Sequence, residues 1–231
     1  FGPNGYNSVV KHSLFDGNEI GILMNGTASD GVTISENVFQ YGAGYDIKIT
    51  NSNIYKIRGN SFVANTKTPV SSAANIYIDT QEDYVGGWSY ITENKFGPEN
   101  RTGGNAIYIT STAAKHIISM DISRNFFSFS TQDQTHYAIK VASGTSVNES
   151  IFSYNQTTNC NLIDGSSALA TSGIGGNRFE GNNAYPPYPP RDGIWVANFN
   201  LTTKGNPPPE SKYNLITYSR FINDAYFTYT N

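Results

Sequence analysis

The sequence has one cysteine, Cys160, among 231 residues, so no disulfide can form within the chain. Charged residues make up 14% of the chain and the net charge is −3, with Lys and Arg scattered along it. This leaves no electropositive stretch for nucleic acid, which we exclude as a partner. No apolar run approaches the roughly 18 residues that a membrane-spanning helix needs. We therefore predict no membrane span.

Metal and cofactor signals are also missing. The three histidines, His12, His116 and His136, are far apart and have no metal-ligand spacing. We expect them to be structural or solvent-facing, and we predict no metal and no cofactor. Cys160 lies in the alternating run NCNLI and is expected to be a small buried thiol. No signal peptide is visible and the chain opens FGPNG without Met, which indicates a piece of a longer chain.

What the sequence does contain is a repeat. The pattern Ile-x-x-Asn-x-Phe recurs, with substitutions, in segments 32–39, 55–62, 89–96, 120–127, 150–157 and 173–179. Their apolar positions are Ile34, Ile57, Ile91, Ile122, Phe152 and Ile174; their Asn positions are Asn37, Asn60, Asn94, Asn125, Asn155 and Asn177. The aromatic positions are Phe39, Phe62, Phe96, Phe127 and Phe179, with Thr157 as the exception, and weaker copies flank the set at Val10/Phe15 and Ile216/Phe221.

A second motif, apolar-x-apolar, lies between these copies. It is found at 47–49, 76–78, 107–109, 139–141 and 194–196, with weaker versions at 20–24 and 160–162. Each repeat therefore holds two short strands of period two, and nothing of helical length separates them. We predict an all-β fold, a single-stranded right-handed parallel β-helix in which equivalent residues stack in rows. One domain covers 1–231, with the last coil and a C-terminal extension over 199–231.

Uneven spacing between copies predicts corner-loop insertions at roughly 63–74, 80–88, 97–105, 128–136 and 180–192. Within the coils, the Ile and Phe positions are expected to form internal aliphatic and aromatic rows. The Asn row is expected to be a turn ladder, because Asn tolerates a left-handed backbone and its amide can bond to the Asn above and below. The alternative is a functional row of Asn side chains.

The stacked Ile-x-x-Asn-x-Phe coils resemble the pectate-lyase-like right-handed parallel β-helix superfamily, most closely its bacteriophage tailspike and tail-appendage members. The resemblance covers about residues 8–221 and is architectural, and no catalytic signature of a particular member accompanies it. It implies a homotrimer on the virion tail, outside the cell, that binds and often cleaves a bacterial surface polysaccharide. A secreted bacterial protein is the alternative location.

Outward positions of the second motif form a predicted stripe of Lys48, Tyr77, Tyr108, Lys140 and, further along, Trp195. Aromatic rings with polar tips suit the mixed faces of sugar rings, so Tyr77, Tyr108 and Trp195 are candidate substrate-binding residues. The alternative is that the stripe packs against a neighbouring subunit or beneath a corner loop.

Glycoside hydrolysis needs two carboxyl groups, about 5 to 5.5 Å apart for retention or 6.5 to 9.5 Å for inversion. Segment 79–88 (DTQEDYVGGW) is the densest acidic stretch. We predict Asp79, Glu82 and Asp83 as catalytic candidates, with Tyr84 and Trp88 as stacking surfaces beside them. The alternative is a solvated polar loop. Glu36 and Glu93 form a second pair, in one row two coils apart.

Three functions therefore stay open on the sequence. A polysaccharide depolymerase would use the paired carboxylates, whereas a receptor-binding or structural spike would only bind. A secreted polysaccharide lyase or epimerase is the third alternative, although the basic residues Lys48, Lys56 and Arg58 have no acidic cluster near them in the sequence.

Overall fold

The computed structural model describes residues 6–26, 31–63, 74–80, 88–99, 105–111, 116–129, 137–142, 145–158, 160–164, 174–175, 178–185, 196–197, 215–217 and 220–221. Every regular element among them is a β-strand. In chain order the strands are β1 (Val9–Lys11), β2 (Leu14–Asp16), β3 (Ile20–Asn25), β4 (Thr33–Ser35), β5 (Val38–Gln40), β6 (Tyr45–Thr50), β7 (Lys56–Arg58), β8 (Ser61–Val63), β9 (Ala74–Asp79), β10 (Tyr90–Thr92), β11 (Lys95–Glu99), β12 (Asn105–Thr110), β13 (His116–Ile118), β14 (Asp121–Ser123), β15 (Phe126–Phe129), β16 (Tyr137–Val141), β17 (Ser146–Asn148), β18 (Ile151–Ser153), β19 (Gln156–Thr158), β20 (Asn161–Asp164), β21 (Ile174–Gly175), β22 (Arg178–Glu180), β23 (Asn183–Tyr185), β24 (Val196–Ala197), β25 (Leu215–Thr217) and β26 (Arg220–Phe221).

Successive coils of the chain place one strand in each of three parallel sheets. Sheet A has the order β1-β4-β7-β10-β14-β18-β22-β25, sheet B β2-β5-β8-β11-β15-β19-β23-β26, and sheet C β3-β6-β9-β12-β16-β20-β24. Each strand pairs with its equivalent one coil away, which is consistent with a parallel β-helix. The all-β class and the parallel stacking are thus confirmed.

Right-handed winding, a single domain and the corner insertions stay predictions, and most of the predicted insertion residues lie outside the described ranges. A fourth sheet was not expected from the sequence. It joins β13, β17 and β21. Within the described part of the chain, no helix has the length and hydropathy of a membrane span.

Two apolar rows fill the interior as the repeat predicts. Ile57 pairs with Ile34 and Ile91 in sheet A, and Ile91 with Ile122, all fully buried. In sheet B the rings stack face to face, with centroids 4.7 to 5.0 Å apart, through Phe15, Phe39, Phe62, Phe96 and Phe127. The spacing equals that of neighbouring strands, so in-register pairing itself produces the stack. Cys160 is buried as predicted, and burial raises the pKa of its thiol.

The Asn row is a continuous hydrogen-bonded ladder, as predicted. Asn94 Oδ1 accepts from the backbone N–H and the Nδ2 of Asn60, at 2.9 and 3.0 Å. Asn94 Nδ2 in turn donates to Asn125 Oδ1 at 3.1 Å and to the carbonyl of Ile57 at 2.9 Å. All donors and acceptors of this side chain amide are therefore satisfied while the residue is only 1% exposed.

The sequence-based explanation of the Asn row was partly wrong, because it assigned a left-handed backbone to Asn itself. The residue with the left-handed backbone is the one that precedes each Asn. Positive φ angles of 53° to 65° occur at His12, Glu36, Gly59, Glu93, Arg124, Tyr154 and Gly181. Most of these are not residues that favour such a backbone. Backbone bonds between coils hold them, for example Glu36 N–H to Arg58 O at 3.2 Å and Tyr154 N–H to Glu180 O at 2.8 Å.

The sixth predicted copy of the repeat is wrong by five residues. Phe179 pairs with Phe152 in sheet A, and Asn182, rather than Asn177, accepts the bond from Asn155 N at 3.0 Å. Ile174 instead pairs with Val147 in the fourth sheet. The segment GIGGNRF matches the motif in letters, but the register follows the Asn that reaches the ladder. The insertion predicted at 180–192 accordingly overlaps β22 and β23.

We predict that Asn94→Ala lowers the free energy of unfolding by about 3 kcal/mol or more, because it leaves several buried partners without a bond. The exposed Gln156 in β19 is the matched control, and Gln156→Ala should change stability by less than about 0.5 kcal/mol. Denaturant titration of both variants measures the difference. Equal losses in the two variants would contradict a stabilising role for the ladder.

Candidate functional site

The outer face of sheet C carries the residues predicted as a stripe. Strand pairing places Leu23, Lys48, Tyr77, Tyr108 and Lys140 in one row across five consecutive coils. The row then continues with Asp164 and Ala197. The stripe is thus confirmed from Lys48 to Lys140.

The continuation to Trp195 is wrong, since Ala197 takes that position in the pairing. Trp195 itself lies outside the described residues, and its role in binding stays a prediction. The error has the same origin as in sheet A. The motif at 194–196 matches in letters, but Val196 is the residue that pairs with Ile163.

Two further tyrosines join this face. Tyr45 and Tyr137 each lie three residues before a lysine of the row, and each is half-buried. In both strands the two residues that follow the tyrosine are buried, so the strict inside–outside alternation is interrupted and the tyrosine returns to the outer face. The repeated spacing Tyr-x-x-Lys at 45–48 and 137–140 was the available sequence signal, but period-two reasoning places these tyrosines inside.

We call the six residues Tyr45, Lys48, Tyr77, Tyr108, Tyr137 and Lys140 the tyrosine face. The rings of Tyr77 and Tyr108 stack with centroids 5.7 Å apart and planes 5° from parallel, and the Tyr45 ring lies 4.6 Å from that of Tyr77. Lys48 Nζ is 5.5 Å from the Tyr45 centroid and 5.6 Å from the Tyr77 centroid. Lys140 Nζ is 5.5 Å from the centroid of Tyr137. These are cation–π distances.

The phenols at the centre of the face stay neutral at physiological pH. Burial, and then the negative charge of Asp79, raises the pKa of Tyr77 to about 12. Burial also raises the pKa of Tyr108, against the opposing charge of Lys140. Both hydroxyls can therefore donate as well as accept hydrogen bonds.

Asp79 is the one predicted catalytic residue that the structure describes. It ends β9, two positions beyond Tyr77, in a row with Thr50 and Thr110. Its position is on the outer side of the strand as expected, yet it is only 7% exposed and it has interaction partners of its own. Glu82, Asp83 and Tyr84 lie outside the described residues. The carboxylate pair therefore stays a prediction.

Trp88 is described, and it lies on a different part of the coil from the tyrosine face. It is 72% exposed, with φ +62°, at the turn that leads into β10 of sheet A. The equivalent turn residues Asn7, Gly31, Ile54, Ser119 and Glu149 share this left-handed backbone, so the geometry belongs to the corner and not to the tryptophan. Its role in stacking on a substrate stays a prediction.

The second carboxylate pair, Glu36 and Glu93, does occupy one row, and each member has a basic side chain beside it. His12 Nδ1 lies 3.2 Å from Glu36 Oε2 at an exposed site. Glu93 accepts a bond from Arg58 Nε at 2.8 Å and lies 3.4 Å from Arg124 Nε. The bond from Arg58, with the charges of both guanidinium groups, lowers the pKa of Glu93. Glu93 is thus ionised at neutral pH and unsuited to be a catalytic acid.

Comparison of the chain with models of protein families, with curated proteins and with solved structures finds no match. Among the described residues, no three His, Cys, Asp or Glu side chains cluster in a way that could hold a metal ion. The tyrosine face, with Asp79 beside it, is therefore the candidate functional site.

We predict that the free energy of unfolding falls as the pH rises from about 10 to 12. The raised pKa of Tyr77 means that the folded state keeps a proton that the unfolded chain has already released in this range, and below it Tyr77 contributes no pH dependence. Tyr77→Phe keeps the ring and removes the titrating hydroxyl, so the free energy of unfolding of this variant should fall less steeply with pH. Denaturant titrations across this pH range measure both slopes. Identical slopes would contradict the assignment.

Proposed function

We propose that this protein binds a bacterial surface polysaccharide along the tyrosine face, as a tailspike-like host-attachment protein of a phage virion tail. The single observation that supports this is the row of tyrosine rings across consecutive strands of sheet C, with Tyr77 and Tyr108 stacked in parallel. The phage context and the substrate class come from the resemblance of the repeat, which is an analogy of architecture.

The chemistry of the face suits a sugar polymer. A sugar ring offers C–H groups on its faces and hydroxyls on its rim, and a tyrosine offers an apolar ring with one polar tip. Tyrosine also has few rotatable bonds, so holding it in place costs little conformational entropy. Because the rings recur with each coil, at about 4.8 Å, the face is a linear array, which fits a polymer better than a small molecule.

Packing against another subunit is the competing explanation of this face. Lysines are depleted in protein interfaces relative to the rest of the surface, yet Lys48 and Lys140 are part of the face, with their ammonium groups over its rings. This favours an accessible glycan surface. We propose that the homotrimer implied by the resemblance forms elsewhere, where Trp88, Tyr90 and Ile151 expose apolar surface on and beside sheet A.

Cleavage of the bound polymer is the second candidate function. It is favoured by the burial of Asp79 and by its proximity to Tyr77, whose pKa the charge of Asp79 helps to raise. A glycoside hydrolase needs a second carboxyl group, for which we propose Glu82 or Asp83. A polysaccharide lyase or epimerase is the further alternative. A lyase would leave an unsaturated sugar at the new non-reducing end together with a new reducing end, whereas an epimerase would invert a carbon centre without cleaving the chain.

We predict that Tyr77→Ala weakens polysaccharide binding about fivefold, the equivalent of about 1 kcal/mol for the lost ring contacts. Tyr154→Ala is the matched control, since Tyr154 is an exposed tyrosine in the turn between β18 and β19, outside the tyrosine face. A panel of capsular, O-antigen and teichoic acid polymers, titrated by calorimetry, measures both. If Tyr77→Ala instead leaves binding intact and reduces the oligomer mass, the face is a subunit interface and the proposal is wrong.

We predict that Asp79→Asn reduces turnover of a cleaved polymer by several orders of magnitude while binding stays within about twofold, because only the ionisable group is lost. Asp16→Asn, on the exposed outer side of β2, is the control. Release of reducing ends reports cleavage. Wild-type rates in Asp79→Asn would place the catalytic acid elsewhere. Absence of cleavage by the wild-type protein across the panel would leave binding as its function.

A further inference from the structure

Lys48 occupies a defined position on the tyrosine face, and its contacts suggest the charge of the ligand. Its ammonium group lies over the rings of two tyrosines, Tyr45 in the same strand and Tyr77 in the next. We infer that Lys48 binds an anionic group of the polysaccharide, a carboxylate or a phosphate. This inference rests on the proposed function, because it assigns the ligand of the same face.

The carboxylates near Lys48 in the sequence and in the register are engaged elsewhere. Asp46 is buried at 3% exposure and accepts a bond from Asn75 Nδ2 at 2.8 Å. Asp79 lies two positions beyond Tyr77 on the adjacent strand, is also buried, and has interaction partners of its own. No carboxylate among the described residues lies within ion-pair distance of Lys48.

Aromatic neighbours make this ammonium group a better anion site than an ordinary surface lysine. The rings stabilise the positive charge through their quadrupoles and fix the flexible stem, while taking up part of the hydration shell. The phenol of Tyr77 adds no competing negative charge, since its pKa is raised to about 12. A cation that is half-buried and held in place forms stronger charge-assisted bonds than one fully in water.

The two lysines of the face are not equivalent. Lys140 in β16 pairs in register with Asp164 of the following strand, β20. Lys48 in β6 pairs with Leu23 on one side and with Tyr77 on the other. An anionic sugar bound beside Lys48 would lie along the edges of the stacked tyrosine rings, with its charge toward the Lys48 ammonium group.

The test compares one polymer in two charge states. Binding of a uronic-acid-containing capsular polysaccharide is measured beside its carboxyl-reduced form, with a poly(glycerol phosphate) teichoic acid as the phosphate probe. Lys48→Met keeps the stem and removes the charge, and Lys48→Arg keeps the charge. Lys56→Met is the control, because Lys56 is an exposed lysine of β7 on sheet A. We expect Lys48→Met to weaken binding of an anionic polymer about tenfold or more, with Lys48→Arg and Lys56→Met near wild type.

The outcomes separate this inference from the proposed function. Loss confined to the uronic polymer identifies a carboxylate as the partner of Lys48, and loss confined to the teichoic acid identifies a phosphate. If binding depends on Tyr77 but is equal for the native and reduced polymers and unaffected by Lys48→Met, the charge inference is wrong and the binding function stands. Equal losses in Lys48→Met and Lys56→Met would indicate general attraction and also overturn it. If no polymer binds, both fail.

Discussion

The ladder of buried asparagines is the constraint on which the other rows depend. Each amide bonds to the coil before and the coil after, so it fixes which residue of one coil lies over which residue of the next. A shift of one residue would bury polar groups without partners, which costs more than any single apolar contact gains. Once this register is set, the aliphatic and aromatic rows of sheets A and B follow.

The same register builds the tyrosine face on the opposite side of the coil. Tyr77 and Tyr108 stack because their strands, β9 and β12, pair in register. The buried isoleucines on either side of each tyrosine pair in the same register. The interior and the surface of sheet C are therefore two consequences of one pairing. A rigid row of rings needs no support from a ligand, and this preorganisation lowers the entropy cost of binding a flexible polymer.

Backbone strain at the corners is distributed along the whole ladder. Two rows of left-handed residues run the length of the described coils, and they include Trp88, Ile54 and Arg124, which disfavour such angles. Hydrogen bonds between coils hold these turns, so a side chain is free to vary there as long as its backbone N–H is used. This freedom explains why the corners carry the charged pairs around Glu93 and the exposed Trp88.

The sequence was enough to predict the strand class, the repeat, the Ile and Phe rows, the Asn ladder and the stripe from Lys48 to Lys140, because all of these depend on residue type at a fixed spacing. The structure was needed to establish the register of the coil with β22 and β23, where Asn182 takes the place expected for Asn177, and the place of Tyr45 and Tyr137 on the outer face. It also decided that Asp79 is buried although its place in the strand alternation is outward. These features depend on which residues of the neighbouring coil pair with a strand and on where a strand departs from strict alternation. Neither can be predicted from the local order of residues.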